Sequence, residues 1–300
     1  MTKPFFPIYK RIDSMTRSIH ARFVPVALRL CHRSVIYSVA EQSSQLDTRC
    51  NIMSLRSENY TVDIGDMRIK YKDKHETFTE DDLISKEPMG QFKAWFEEAC
   101  NTPGILEPNA MLLATATRQH FFNLKIISDG IPSVRVLLLK GFGTEGFKFY
   151  TNYDSRKGHE LAENPHAALT FYWESLRRSV RIEGIAKKTS AEDSDHYFRS
   201  RPYENQIGST ASKQSSVIAS RQTLIIKEKE LLAKFPKNQV KRPACWGGYL
   251  IVPHSVEFWQ GQSDRLHDRI RFRRPKTNEK IDNILVHEGK DGWVYERLSP

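Results

Sequence analysis

Long apolar runs and clustered cysteines are both missing from this sequence, and each absence argues against a class of protein. No segment approaches the roughly 18 consecutive apolar residues that a membrane-spanning helix needs, so we expect no membrane span. The four cysteines lack the spacing of a metal site, which indicates free thiols in a reducing compartment. They are Cys31, Cys50, Cys100 and Cys245.

Signatures of nucleic-acid recognition are absent as well, although the chain carries a net charge of +10. Its basic residues are spread along the whole sequence, without an RNA-binding motif or a zinc-ligand pattern. The densest basic cluster, Arg271 to Arg274, is interpreted as a solvated basic edge. Anionic small ligands explain a positive balance equally well, so we predict no nucleic-acid partner.

The N-terminal segment differs in composition from the rest of the chain. Up to Ala40, Asp13 is the single acid among many lysines and arginines, which is the composition of a mitochondrial transit peptide. The alternatives are a disordered basic tail, which we favour, or a functional start nearer Met53 or Met67. We expect a cytoplasmic protein, or a mitochondrial one if this segment is a targeting signal. The predicted divisions are a basic extension over residues 1–55, an approach segment over 56–87 and a folded domain over 88–300.

The most informative stretch runs from Ser133 to Gly158 and predicts a strand, a tight turn, a second strand and the start of a helix. Residues 134–139 have a pattern that suits a strand with both faces mostly buried. Ser155 is predicted to cap the helix, and Asn164–Pro165 to end it.

Cations stand in this stretch where a plain hairpin would not need them. Arg135 lies inside the apolar strand and Lys140 ends it. Arg156 and Lys157 open the helix, where each opposes the helix dipole at a cost of about 0.3–1 kcal/mol. A docked anion would reverse that cost; a solvated charge pair is the alternative. An unpaired interior charge on Arg135 would be expensive, which favours a phosphorylated ligand.

The remaining patterns predict many short strands, few helices and no βαβ repeat. This indicates a mainly β protein of the α+β class, an antiparallel barrel with helices packed outside. The predicted helices are Pro88–Asn101, Ser190 to before Pro202, and Arg221–Phe235, the last with Leu224, Ile225, Leu231, Leu232 and Phe235 inward. Further strands are predicted at Ala110–Thr117, His166–Trp173, Ser179–Lys187, Trp246–Val252, Ser255–Gln260, Ile270–Arg273 and Gly292–Leu298, with a polar loop at Gln206–Val217.

The segment Glu257 to Arg269 carries a second candidate site. Arg265 and His267 are two residues apart, so in an extended backbone both side chains point the same way. A cation beside a group that titrates near neutrality suits an anionic, ionisable substrate. On spacing alone, an ordinary exposed loop is the better interpretation.

Taken together, these segments resemble the pyridoxine/pyridoxamine 5′-phosphate oxidase family over nearly all of residues 67–300. The motifs that carry the resemblance are RVLLLKGF, FYTNYDSRKG, FYWE, YFRSRP, QIG, KQSSVI, WGGY, EFWQGQSDRLHDR and the terminal ERLSP. The resemblance implies a homodimer of split β-barrels with FMN in clefts at the dimer interface. It also implies FMN-dependent oxidation of pyridoxamine 5′-phosphate and pyridoxine 5′-phosphate to pyridoxal 5′-phosphate, with O2 reduced to H2O2.

Site residues follow from the resemblance, position by position. The implied cofactor-binding residues are Arg135, Val136, Leu137, Leu138, Tyr150, Thr151, Arg156, Lys157, Ser179, Gln214, Ser215, Trp259 and Arg269. The implied substrate-phosphate contacts are Lys140, Tyr197, Arg201 and Asn205. Arg265, Leu266 and His267 are implied to contact the pyridine ring, with Arg265 and His267 as catalytic residues. Arg265 is implied to cover the ring, and His267 to orient the substrate and assist proton movement.

Three departures from the family pattern stand out. Ser179 replaces a usual glutamine, Asn205 replaces a usual serine, and residues 119–128 are inserted into a short turn. The insertion is either a lengthened hairpin loop or a segment retained by faulty gene prediction. The competing functions are a related split-barrel FMN oxidoreductase with another substrate, and a non-catalytic carrier of flavin or pyridoxal phosphate.

Overall fold

The structure is a computed structural model that describes Met67 and residues 69–71, 76–118, 120–122, 125–128 and 130–300. Residues 120–122 and 125–128 are described by their backbone alone. The predicted basic extension over residues 1–55 lies outside the described residues, as does most of the approach segment before Glu76.

The described residues form five α-helices and twelve strands, which confirms the mainly β class with flanking helices. The helices are α1 Pro88–Asn101, α2 Arg156–Glu163, α3 Ala191–Ser200, α4 Tyr203–Ala211 and α5 Arg221–Lys234. The strands are β1 Ala110–Thr115, β2 His120–Phe122, β3 Lys125–Ser128, β4 Ser133–Leu138, β5 Gly141–Gly143, β6 Gly146–Asn152, β7 His166–Trp173, β8 Arg178–Lys188, β9 Trp246–Gln260, β10 Asp268–Arg273, β11 His287–Glu288 and β12 Val294–Arg297. Within the described part of the chain, no helix has both the length and the apolar character to cross a bilayer.

Ten of the strands form one antiparallel sheet that branches at β9. The main order is β11-β12-β10-β9-β8-β7-β1-β4, while β6 pairs with the first half of β9 and carries β5. The predicted break between two strands near Pro253 is wrong, because β9 runs unbroken through it. A register shift opposite Glu183 and Gly184 accommodates the proline, which has no N–H for the ladder. This long, bent strand gives the sheet the shape of a split barrel.

Helix α1 supplies the centre of the main core. Pro88 stands at its first turn, and Phe92, Trp95 and Ala99 bury one face, as the sequence predicts. The Phe92 ring meets Phe147 edge to face, with a centroid distance of 4.9 Å. Pairs of this kind contribute beyond their buried area, so α1 is fixed firmly across the sheet.

Strand β4 corrects the first prediction about the Ser133–Gly158 stretch. Val134 and Val136 are 64% and 65% exposed, so the expectation that both faces are buried is wrong. The described residues leave this face of β4 uncovered, as they do Leu112 opposite Val136 on β1, which is 41% exposed, and only the other face of β4 meets the core. It also pairs with β1, while the tight hairpin forms between β5 and β6.

The inserted residues form a short hairpin, β2–β3, within the connection of a longer one, β1–β4. Strands β1 and β4 pair from Ala110–Leu138 to Thr115–Ser133, and β2 pairs with β3 inside the connection between them. In the described residues the insertion extends the loop that joins β1 and β4. Loop-closure entropy grows slowly with length, so the β1–β4 pairing tolerates it.

Three further predictions fail for tertiary reasons. The loop predicted from Gln206 is helical up to Ala211, because Gln206 and Ile207 are buried against a second apolar cluster around Trp246. Leu232 is 43% exposed on α5, not inward. The basic cluster is no solvated edge: its arginines pair with carboxylates, Arg271 with Glu296, and Arg273 with Glu296 and Glu279.

Candidate active site

The start of α2 is built as the sequence predicts. Ser155 is its N-cap, and the Ser155 hydroxyl accepts a hydrogen bond from the Gly158 amide at 3.3 Å. Glycine is required at 158, because a Cβ there would lie 1.9 Å from the Tyr153 carbonyl oxygen. The cap fixes Arg156 and Lys157 in the first turn, where the free amides of the helix also point.

The buried Lys157 ammonium forms hydrogen bonds only with neutral oxygens among the described residues, while the charge of Glu160 acts on it from farther away. Its Nζ lies 3.2 Å from Thr151 Oγ1, 3.1 Å from Ser155 Oγ and 3.1 Å from Gln214 Oε1, all neutral oxygens. Burial, with the nearby Arg135 charge, lowers the pKa of Lys157 to about 8. A buried charge held in this way is costly unless an anion joins it. The cluster therefore fits a phosphate group.

Arg135, by contrast, has a counter-charge, which corrects the sequence argument about an unpaired interior charge. Its Nη2 lies 3.2 Å from Glu160 Oε2 and also donates to Ser133, while its Nη1 donates to Leu113 O and Thr115 Oγ1. These bonds engage the four Nη hydrogens and leave Nε–H for a ligand. Arg135 thus ties β4 to β1 and α2 at the edge of the candidate site.

Glu160 links the ends of β1, β4 and α2 through hydrogen bonds. Its buried carboxylate accepts from Thr115, Ser133, Arg135 and Arg156 at 2.5–3.2 Å. Burial opposes its ionisation, but these hydrogen bonds and the Arg135 charge outweigh burial and hold the pKa of Glu160 below its usual value of 4.5.

Replacing Glu160 with glutamine is expected to lower the free energy of unfolding by about 3 kcal/mol at neutral pH, because Arg135 would lose its counter-charge. Because folding lowers the pKa of this carboxylate, its ionised form stabilises the folded state. This stabilisation is complete above the usual pKa and is lost as the pH falls through the folded-state pKa. The difference between wild type and Glu160→Gln should therefore shrink in urea unfolding series below about pH 4. Glu145→Gln, in an exposed turn, is the control. A difference that does not change with pH would contradict the assignment.

A pocket of about 440 Å³ opens where the end of β4, strand β6 and helices α3 and α4 meet. Lys140 and Arg201 both line it, and burial, then the Arg201 charge, lowers the pKa of Lys140. Arg201 Nη1 donates to Ser209 Oγ at 2.6 Å. Two cations thus face this pocket, whose wall also holds the Glu204 carboxylate, and such a pair of cations suits a dianionic ligand. Of the predicted residues, the pocket wall contains Leu137, Leu138, Lys140, Tyr150, Thr151, Tyr197, Arg201, Asn205 and Gln214.

Two residues that the sequence did not single out support this pocket. Trp246 stacks with Tyr197 at 6.2 Å between centroids and lies 4.9 Å below the Arg201 guanidinium. Asp193 accepts from Tyr150 Oη at 2.7 Å. Trp246 was visible only as part of the WGGY motif, and Asp193 only as part of a helix cap.

A second cavity of about 870 Å³ adjoins the first and shares Asn152, Ser209, Ser212 and Gln214 with it. Arg156 and Ser215 line this second cavity. Gln214 lines both cavities and also bonds to Lys157, so the buried cation lies behind the wall that the two cavities share. The structure therefore brings most of the predicted cofactor and substrate-phosphate residues into one continuous region.

Ser179, Trp259 and Arg269 form a separate group. They lie side by side on β8, β9 and β10, with Ser179 opposite Trp259 and Trp259 opposite Arg269. Ser179 and Trp259 line a cavity of about 340 Å³ on the outer face of the sheet. Arg269 Nε donates to Glu257 Oε1 at 2.8 Å.

The loop with Arg265 and His267 lies beside this second group, and its backbone corrects the prediction. Arg265 has φ +71°, so the segment is a turn and not an extended strand. Leu266 is 69% exposed, and the His267 ring packs 4.9 Å from Trp259 between centroids. Tyr71, from the approach segment, lies 6.2 Å from the same ring, a neighbour that sequence patterns did not reveal.

The two groups lie at opposite ends of β9. Tyr150 pairs with Gly248 near the start of the strand, whereas Ser179 pairs with Trp259 near its end. Eleven residue steps separate Gly248 from Trp259, roughly 36 Å of strand at ~3.3 Å per residue. Within one chain the two groups are therefore separated by most of the length of β9.

The antiparallel split barrel and its cationic pocket define a protein that binds a phosphorylated ligand. Residues 96–235 match the sequence profile of pyridoxamine 5′-phosphate oxidase, and residues 246–300 match that of the pyridoxine 5′-phosphate oxidase C-terminal dimerisation region. The chain is 57% identical over 244 residues to a pyridoxine/pyridoxamine 5′-phosphate oxidase of Bombyx mori, across 81% of this chain and 91% of that protein. It belongs to the pyridoxine/pyridoxamine 5′-phosphate oxidase family.

Two more relatives agree with this assignment. A pyridoxine-5′-phosphate oxidase of Bos taurus is 49% identical over 253 residues, 84% of this chain and 93% of that protein. Among solved structures, PhzG from Burkholderia lata 383 in complex with tetrahydrophenazine-1-carboxylic acid superimposes with a TM-score of 0.61. It is 31% identical and covers 74% of this chain and 97% of its own.

Proposed function

We propose that this protein oxidises pyridoxamine 5′-phosphate and pyridoxine 5′-phosphate to pyridoxal 5′-phosphate, with FMN as cofactor and O2 reduced to H2O2. Family membership and identities of 57% and 49% to named oxidases support the reaction and its substrates. The observation that carries the proposal is the buried Lys157, which adjoins a pocket with two further cations. This protein thus offers separate positive sites for two phosphate groups.

The residues around Lys157 fit the phosphate of FMN. The Lys157 ammonium, the first-turn amides of α2 and the Arg156 side chain all lie in the first turn of one helix, and Gln214 bonds to the ammonium. When bound, FMN supplies the two-electron redox chemistry that amino-acid side chains lack. Ser179 stands where the family usually has glutamine, so a long side chain is missing beside Trp259 and Arg269. We expect the flavin contact of that glutamine to be made through water here, or to be lost.

The neighbouring pocket fits the substrate phosphate. Lys140 and Arg201 supply two charges, and Tyr197 and Asn205 supply polar groups on the same wall. The phosphate is remote from the reacting carbon, but its binding energy would hold the pyridine ring of the substrate in place against the flavin. Orientation of this kind raises the rate of turnover. Asn205 can still donate a hydrogen bond where the family usually has serine, so it fits the same role.

The complete site is composed of two subunits in this proposal. The cationic pocket of one chain would face Ser179, Trp259, Arg269 and the neighbouring His267 loop of a second chain. In one chain the pocket and these residues lie at opposite ends of β9. The exposed apolar face of β1 and β4, with Leu112, Val134 and Val136, gives a surface that a second copy can cover. The match of residues 246–300 to a dimerisation region supports the same arrangement.

An absorbance spectrum of the purified protein tests the function directly. We expect a flavin band near ~450 nm that bleaches with anaerobic pyridoxamine 5′-phosphate and recovers in air. Pyridoxamine without the phosphate is the control, and should bleach the band far less because Lys140 and Arg201 have no group to bind. A yellow protein that does not bleach would support a related oxidoreductase with another substrate. A colourless protein that FMN cannot reconstitute would contradict the cofactor assignment.

A further inference from the structure

Asp193, in the first turn of α3, ties that helix to strand β6. Lys148 Nζ donates to Asp193 Oδ1 at 2.7 Å, and Tyr150 Oη donates to Asp193 Oδ2 at 2.7 Å. Lys148 and Tyr150 are two residues apart on β6, so both side chains leave the same face of the strand. Each carboxylate oxygen thus has its own donor, which fixes both the position and the orientation of the carboxylate.

The charge states at neutral pH keep both bonds. Burial opposes ionisation of Asp193, but the bonds from Lys148 and Tyr150 outweigh it and hold the pKa of Asp193 below its usual value of 3.8. Burial, then the Asp193 contact, raises the pKa of Tyr150, so its hydroxyl keeps the proton that it donates. The Lys148 and Asp193 side chains are 33% and 31% exposed, and an ion pair this exposed adds little to global stability. Its effect is therefore expected in the adjoining pocket.

The side chains that Asp193 anchors lead directly to the substrate pocket. The Tyr150 ring lies 3.9 Å from the Tyr197 ring between centroids, and both stand nearly parallel to Trp246. Tyr197 follows Asp193 by one helical turn. Arg201 is the C-cap of the same helix and lies over the Trp246 ring. A shift of α3 along β6 would therefore move Tyr197 and Arg201 together.

Strand β6 also carries part of the candidate cofactor site. Thr151 follows Tyr150 on this strand, and its hydroxyl lies 3.2 Å from Lys157 Nζ. One carboxylate, that of Asp193, thus connects the helix with the substrate-phosphate residues to the strand that contacts the buried ammonium.

We propose that Asp193 is a positioning residue, which holds α3 against β6 so that Tyr197 and Arg201 meet the substrate phosphate at a fixed distance from the cofactor site. Asp193 acts through Lys148 and Tyr150, and it does not itself line the pocket. Without it, the two phosphate contacts lose their fixed position and the pocket binds phosphate more weakly. This inference rests on the proposed function, and it adds a residue outside the pocket wall to substrate binding.

Steady-state kinetics of the FMN-loaded enzyme test this role. We expect Asp193→Ala to raise KM for pyridoxamine 5′-phosphate by about tenfold, the scale of one lost hydrogen bond to a charged group, with kcat within about twofold. Asp193→Glu keeps a carboxylate and should return KM to within about threefold of wild type. Glu192→Ala, an exposed acid in the same turn, is the matched control. An unchanged KM in Asp193→Ala, or an equal loss of kcat and of FMN affinity, would overturn the proposal.

A variant background identifies the residues through which Asp193 acts. Lys148→Met and Tyr150→Phe together remove both donors and keep the stacked ring. In this background Asp193→Ala should change KM by less than about twofold, because its partners are already gone. The full tenfold effect in this background would mean that Asp193 acts elsewhere, and would contradict the proposal.

Inorganic phosphate gives a readout without turnover. It should raise the Tm of the FMN-loaded wild type relative to chloride at equal ionic strength, because a ligand that binds the folded state stabilises it. Asp193→Ala should need about tenfold more phosphate for the same rise. A wild type that phosphate does not stabilise, or a variant as responsive as wild type, would overturn the proposal. If phosphate acts as expected but pyridoxamine 5′-phosphate does not bleach the flavin band, the proposed function fails and the role of Asp193 stands.

Discussion

Replacing Lys157 with methionine is expected to weaken FMN binding by about 100-fold without lowering the stability of the cofactor-free protein. Hydrogen bonds to charged groups contribute about 1.5–3 kcal/mol each, so loss of the ammonium removes about two powers of ten. Without phosphate, the buried ammonium has only Thr151, Ser155 and Gln214 as described partners, and all are neutral. Methionine fills similar space without the desolvation cost of a charge.

Fluorescence titration of the cofactor-free protein with FMN and with riboflavin measures this effect. Riboflavin lacks the phosphate, so its affinity should be unchanged by Lys157→Met. Lys229→Met, on the exposed side of α5, is the matched control. An equal loss for FMN and riboflavin would mean that Lys157 has a general structural role and would contradict the phosphate assignment.

The pKa of Lys157 adds a pH signature to the same experiment. Its pKa of about 8 in the cofactor-free protein means that the ammonium loses its proton as pH rises above that value. Phosphate binds the protonated form, so FMN affinity should fall with rising pH above about 8 in wild type. Lys157→Met should lack this dependence, and a variant that retains it would point to another group.

Replacing Arg201 with alanine is expected to lower kcat/KM for pyridoxamine 5′-phosphate by about 100-fold, mainly through KM, while FMN remains bound. Arg201 lies over Trp246 and bonds to Ser209, which aims its guanidinium into the pocket beside Lys140. Arg199→Ala, an exposed arginine on the same helix, is the control. Steady-state kinetics and the bound-flavin spectrum decide the result. A parallel loss of FMN would show that Arg201 holds the cofactor.

Mixed dimers extend this prediction to the two-subunit site. Arg201→Ala disables the pocket group, and Arg269→Ala disables the group at the other end of β9. If each site combines both groups from two chains, a mixed dimer has one intact site. Equal mixing after unfolding and refolding should then recover about a quarter of wild-type activity. Failure of the mixture to exceed the separate variants would contradict a shared site.

Local chemistry explains what was predictable. The Ser155 and Ser190 caps, Pro88 at the start of α1 and the apolar face of that helix depend on interactions within a few residues, and each is confirmed. The motif resemblance also named most of the pocket wall, because side chains that bind phosphate recur at fixed places in the chain.

Long-range pairing explains what was not predictable. Arg135 finds its counter-charge in Glu160, which is 25 residues away in sequence and on another element. The exposure of Val134 and Val136 depends on which face of the sheet other elements of the chain cover, and α1 packs on the opposite face. Pro253 ends no strand, because the pairing of β9 with β8 shifts its register beside the proline, where His254 of β9 has no partner in the β8 register.

The sequence by itself determined the fold class and the approximate bounds of α1, α2, α3 and α5, since these follow from local periodicity and capping, and its resemblance to a known family named the residues of the candidate site. Only the tertiary structure decided which of those residues meet. Strand β9 holds the cationic pocket near its start and the His267 loop beyond its end, and the positive φ of Arg265 makes that loop a turn. Strand order and register set these distances, and both depend on contacts between residues far apart in the chain.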